Sequence, residues 1–225
     1  MSLAAPASDS LPAKLRGFGP TGLFAVALLV FADGILPPVG AILVLAWARL
    51  SLTPWCDIGF VLPERWLRTA AIGIPFGIAL KFLMKAIVMP LFGADPINHA
   101  FHYLAGNRAA LPGAIYMMIV VAGFGEETLF RGYAFERLRK LIGRGRAATI
   151  AIVLTTSALF GAAHYSLQGV AGVEQATVVG LILGTIYAAT GRIWLPMFIH
   201  AAFDLAALAM IFWNLETRVA HLVFR

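Results

Sequence analysis

Three stretches of the chain each hold functional side chains four positions apart. They are Glu127 and Arg131, with Glu126 beside them; Phe160 and His164; and His200 and Asp204. On a helix, residues four apart share a face. Glu127 and Arg131 can then pair along one helix, the planar guanidinium matching the carboxylate. Glu126, about 100° further round the helix, is left free for other work. A carboxylate beside imidazole can hold a water and accept its proton, which is general-base catalysis. One histidine can orient that water. The second, with a neighbouring acid, can hydrogen-bond a carbonyl oxygen as it becomes an oxyanion. Glutamate and histidine are also zinc ligands, with Glu126, His164 and His200 as the set, although no HExxH helix is present. Each group has a plainer reading as well: an ion pair for packing, hydrogen-bonded core histidines, and Phe160 as a packing aromatic.

The elements that must position these residues follow from composition. Hydrophobic residues make up 60% of the 225, charged residues only 12%, and the mean hydropathy is +0.86. Soluble domains carry about twice that share of charge, so a lipid bilayer is the expected solvent. The apolar runs are continuous rather than alternating, which predicts helices over a barrel. The expectation is an all-α, polytopic transmembrane bundle of about seven helices (6–8), at roughly 20 residues per span. Residues 1–20 form a polar segment, 21–213 one membrane domain with a core at about 110–210, and 214–225 a tail. The lone Cys56 excludes an intrachain disulfide.

Spans are expected at about 67–92, from Leu111 through Phe130 to about 140, and at 147–164, 175–190 and 193–213. The run from Thr21 to Trp47 is broken by Asp33, Gly34, Pro37 and Pro38, and reads as a hairpin, about 20–34 and 37–50, in preference to one kinked span. Arg49 to Trp66 reads as an interfacial connector, its tryptophans at headgroup level. Lys81 and Lys85 read as snorkelling stems or a water-facing stripe. His99 and His102 sit in a loop and read as solvated.

The net charge of +6 resembles a nucleic-acid signal, yet the basic residues lie between apolar runs and suit topological anchoring instead. Eleven of them fall on one side, including Arg137, Arg139, Lys140, Arg144 and Arg146, against Arg108, Arg218 and Arg225 on the other. That side is expected to be cytoplasmic. The expected partner is the bilayer, not nucleic acid, in a multi-pass membrane protein.

A charge at the bilayer centre costs about 2.5–3.5 kcal/mol. Glu126, Glu127, Arg131 and Asp204 facing lipid would together cost on the order of 10 kcal/mol. The three faces are therefore expected to converge on a shared interior. Their depths do not agree at first sight. Glu126 is about 16 Å from Arg137 and His200 about 12 Å from Arg192, both some way in from the basic side, but His164 is about 27 Å from Arg146 at 1.5 Å per residue.

The string Glu126-Glu127-Thr-Leu-Phe-Arg131 resembles the EExxxR motif of the CAAX protease and bacteriocin-processing family of intramembrane peptidases. Phe160 to His164 resembles its FxxxH element and His200 to Asp204 its HxxxN/D element, in the family's order. The resemblance covers roughly residues 110–210. It implies an intramembrane endopeptidase of the glutamic type, without a cofactor. It also implies that Glu126 activates water together with His164, that His200 and Asp204 stabilise the oxyanion, and that Glu127 and Arg131 shape the site. At 204 the chain has Asp where the eukaryotic prenyl-protein members have Asn, and an ionised Asp cannot donate to an oxyanion. Two other readings use the same cluster: a zinc peptidase, and a non-catalytic immunity protein, scaffold or small transporter.

Overall fold

The continuous apolar runs fold as helices, because in hydrocarbon only a helix satisfies its own backbone hydrogen bonds within one segment. The structure is a computed structural model that describes residues 9–35 and 37–224. A short helix, α1 (Leu11–Arg16), is capped by the Ser10 hydroxyl, which accepts from the Ala13 N–H at 3.4 Å. Two apolar helices follow, α2 (Pro20–Ile35) and α3 (Pro37–Leu50). Ala25 and Leu29 of α2 pack in one cluster with Val44, Trp47 and Ala48 of α3. The two helices therefore form a hairpin; Leu36, at its tip, lies outside the described residues.

Five helices are long and apolar enough to cross a membrane: α4 (Trp66–Leu91), α5 (Arg108–Ile142), α6 (Arg146–Ala163), α7 (Tyr165–Thr190) and α8 (Trp194–Phe212). With α2 and α3 the apolar helices number seven among the described residues. A last short helix, α9 (Glu216–Ala220), closes the described chain. Lys85, Glu127, Arg131, Glu136, Arg137 and Glu216 are buried, whereas Leu67, Phe76, Leu154, Leu159, Leu167 and Val170 are exposed. That inversion is the pattern of a protein solvated by lipid.

Glycines bring the helices close enough to share a site. A Cβ on Gly77 of α4 would come within 2.2 Å of the Ile199 carbonyl of α8, so these two helices touch through backbone. A Cβ on Gly123 of α5 would lie 2.8 Å from that of Ala201, on the opposite flank of α8. Helix α8 is thus held between α4 and α5, and α6 packs antiparallel on α7.

Two expectations are corrected here. Helix α7 starts at Tyr165, ten residues before the expected 175. Ser166, Gln168, Glu174 and Gln175 dilute the hydropathy of its first turns, and Gly169 kinks it at φ 61°, a value that favours glycine. Lys81 and Lys85 neither snorkel nor face water, with 5% and 8% of their surface exposed. Both point into the bundle.

The conflict over depth has a simple origin. Phe135, Val153, Tyr187 and Ile193 belong to one apolar layer. From that layer Glu126, His164 and His200 are nine, eleven and seven residues away, roughly 13, 16 and 10 Å at 1.5 Å per residue. The three depths now differ by about 6 Å, against about 15 Å when the basic residues are the markers. Arg146 was a misleading marker because the first turns of α6 project beyond this layer.

Candidate active site

The two segments that carry Glu126 and Arg131, with Glu127 between them, are not regular α-helix. Met117–Glu126 and Thr128–Ala134 of α5 are wound as π-helix, a conformation that recurs at functional sites. Pairing of residues four apart survives the widening. Arg131 Nη1 donates to Glu127 Oε1 at 2.8 Å, with both side chains fully buried. Arg131 Nη2 donates to the Gly180 carbonyl of α7 at 3.3 Å, and the guanidinium lies 4.7 Å from the Phe160 ring centroid. One guanidinium therefore ties α5 to α6 and α7.

Glu127 also reaches α8. Its Oε1 is 2.8 Å from His200 Nδ1. A carboxylate already accepting from Arg131 can only accept again, so Nδ1 carries a proton and donates. The other nitrogen, Nε2, then faces two more carboxylates: Glu126 Oε2 at 3.7 Å and Asp204 Oδ2 at 3.5 Å. Glu126 makes no hydrogen bond among the described residues, and its Oε2 is buried without a partner.

His164 caps the end of α6. Its Nδ1 is 2.8 Å from the Phe160 carbonyl, which can only accept, so this nitrogen is protonated and Nε2 keeps its lone pair. The Phe160 ring stands edge-on to both imidazoles, with centroids 4.7 Å from His164 and 5.8 Å from His200. Phe160 is a packing residue, as expected, and it sets the position of both histidines.

Glu126, His164, His200 and Asp204 all line one cavity of about 450 Å³. Glu127 and Arg131 stand behind it, reaching it only through His200. The six expected positions thus form a front row of four and a supporting pair. The cavity extends from Glu126 along α5 to Met118 and Met117 and on to Phe101 and Asn98. Its wall takes in Asn98 and Phe101 of the 92–107 loop and no residue of the basic 137–146 segment.

Sequence reasoning missed five polar residues of the wall: Lys81, Asn98, Ser166, Gln168 and Gln175. Lys81 Nζ donates to Gln175 Oε1 at 2.9 Å and lies 4.7 Å from the Phe203 ring centroid. A polar run inside α7, beside two lysines in α4, was the available signal. Nearby, Lys85 Nζ donates to Glu216 Oε1 at 3.2 Å and to the Pro96 carbonyl, and the Asn98 N–H donates to the same Glu216 oxygen at 3.0 Å. His99 and His102 stay in the loop, as expected. There the Ile97 N–H, at 2.7 Å, and then His99, at 3.0 Å, hold the Asp95 carboxyl below the usual carboxylate range.

Among the described residues, no three of His, Cys, Asp and Glu converge to hold a metal ion.

A helical membrane bundle with carboxylates and imidazoles gathered around an interior cavity defines the class. Residues 108–206 match the family described as type II CAAX prenyl endopeptidase Rce1-like. The matched segment runs from the start of α5 to just past Asp204 and contains all three motifs. Over these residues, a little under half of the chain, it is similar to that endopeptidase family, in agreement with the resemblance read from the motifs. No curated protein and no solved structure matches the chain.

Proposed function

We propose that this protein is an intramembrane endopeptidase that hydrolyses a peptide bond of a membrane-associated protein or peptide, with Glu126 as general base and without a metal. The observation that carries the proposal is the division of labour between the two adjacent glutamates. Glu127 accepts through Oε1 from Arg131 and His200 at 2.8 Å each, whereas Glu126 lines the cavity and makes no hydrogen bond among the described residues.

In this reading Glu126 takes a proton from a water that the His164 Nε2 lone pair helps to orient. The hydroxide attacks the carbonyl carbon, and the electron pair of the C=O bond moves to oxygen. His200 Nε2–H and a protonated Asp204 donate to that oxyanion, which is the condition under which Asp serves where prenyl-protein relatives use Asn. Collapse breaks the C–N bond, and Glu126 returns its proton to the leaving amine. Glu127 positions His200 and supports its positive charge.

Substitution Glu126→Gln tests this. Cleavage of a farnesyl-cysteine peptide by the reconstituted protein is expected to fall by about 10²–10⁴-fold, the usual contribution of a general base, with thermal stability unchanged. Retained activity would remove Glu126 from the role. The prenyl peptide is chosen because the matched family is described by it.

The proposal places the protein in a bacterial cytoplasmic membrane with the basic 137–146 segment inside, on the asymmetry of basic residues. A reporter active only outside the cytoplasm is expected to work when inserted in the 92–107 loop and to fail at Gly143. The reverse pattern would invert the topology.

A further inference from the structure

Lys81 is a buried cation that the mechanism above does not use. Its neighbour Lys85, four residues on, has two acceptors, one of them charged: the Glu216 carboxylate and the Pro96 carbonyl. Among the described residues Lys81 has a single hydrogen-bond partner, the neutral Gln175 side chain, with the Phe203 ring beside it. No carboxylate among the described residues forms an ion pair with it. Asp204, on the same cavity wall, is instead within reach of His200 at 3.5 Å.

An ammonium has three N–H donors, and here only one has an acceptor. A buried charge is tolerated when it is paired, so the charge at Lys81 is incomplete. The side chain stands where the catalytic cavity meets a smaller polar cavity of about 140 Å³, and Asn98, Gln168 and Gln175 line both spaces with it. The rest of the catalytic cavity is largely apolar, with Met117, Val121, Phe130, Phe160, Phe203 and Leu208 on its wall.

We propose that Lys81, with Gln175, Gln168 and Asn98, forms an anion subsite that takes a carboxylate of the peptide substrate, while the apolar wall takes its neighbouring side chains. This rests on the peptidase reading and assigns to Lys81 the recognition of a carboxylate close to the bond that is cut. The carboxylate has two sources, a free C-terminus or an Asp or Glu side chain. Either would bring the missing counter-charge to Lys81, and each hydrogen bond would be charge-assisted.

Three farnesyl-cysteine peptides of one sequence separate these cases: a free acid, a C-terminal amide, and an amide with Asp as its last residue. The protein carrying Lys81 is expected to cleave a carboxylate-bearing peptide with a KM about tenfold below that of the plain amide, the effect of one hydrogen bond to a charged group. Lys81→Met is expected to erase that preference and Lys81→Arg to keep it. Preference for the free acid alone identifies the C-terminus as the source; equal preference for the Asp amide identifies the side chain. No preference in the unsubstituted protein, or a preference that survives Lys81→Met, overturns the subsite while leaving the peptidase reading in place. Binding of the same peptides to protein carrying Glu126→Gln gives a readout without turnover. Carboxylate-dependent binding that Lys81→Met abolishes upholds the subsite even if no peptide is cleaved, whereas equal binding of all three overturns it. If Lys81→Met lowers the melting temperature, Gln175→Leu in the same assays decides, with the same weakened preference expected.

Discussion

Glu127 Oε1 receives two donors at the same distance, Arg131 Nη1 and His200 Nδ1, each at 2.8 Å. One oxygen of a fully buried carboxylate therefore joins α5 to α8 and fixes which nitrogen of His200 carries the first proton. Replacing Glu127 by Gln keeps the shape but removes the charge that supports an imidazolium. The expected outcome is a fall in kcat of about 10²–10³-fold, comparable to loss of an oxyanion donor, with KM changed by only a few-fold. Steady-state kinetics on the farnesyl-cysteine peptide checks this. A proportional rise in KM with kcat intact would mean that Glu127 serves binding alone.

Asp204 stands 3.5 Å from His200 Nε2 and lines the cavity. An amide at this position donates without needing a proton. Asp204→Asn is therefore expected to stay within about tenfold of the original kcat and to extend activity to higher pH, where an acid would have lost its proton. Asp204→Ala removes the donor altogether and is expected to cost about 10²-fold or more. A pH–rate profile of the three proteins separates donation from mere packing, since packing would not move the alkaline limb.

The Lys85–Glu216 pair is buried on both sides, with a 3.2 Å contact, and Glu216 also accepts from the Asn98 N–H. It ties α4, the 92–107 loop and α9 together at one point. Glu216→Ala leaves the Lys85 ammonium buried without its counter-charge, which costs about 3–5 kcal/mol where a buried pair is broken. A clear drop in melting temperature is expected in the single variant. The double variant Lys85→Met, Glu216→Leu is expected to recover most of it, because the desolvation cost disappears with the charges. A double variant as unstable as the single one would show that packing, not charge, is at stake.

Metal dependence is measured directly. The proposed mechanism expects no stoichiometric zinc in purified protein by elemental analysis, and full peptidase activity after prolonged dialysis against a chelator. Activity that is lost on chelation and restored by zinc would replace the glutamate-and-histidine mechanism with a metal-based one.

The membrane bundle was legible in the chain because it depends on sums over many residues. Too little charge to cover a globule and apolar runs of spanning length leave helices in lipid as the stable arrangement. The three motifs were legible for a local reason: a spacing of four keeps Glu127 with Arg131, Phe160 with His164 and His200 with Asp204 even where α5 widens into π-helix. Contacts between distant segments leave no such periodic trace. Only the folded chain decides that His200 belongs to Glu127, 73 residues away, or that Lys85 belongs to Glu216 across 131. The same is true of Lys81, which hydropathy reads as a snorkelling stem and packing turns inward onto Gln175 across 94 residues. Hydropathy measures how a side chain suits a solvent, not which way it points, so the direction of the buried charges was settled by the packing of α4, α5 and α7 around α8.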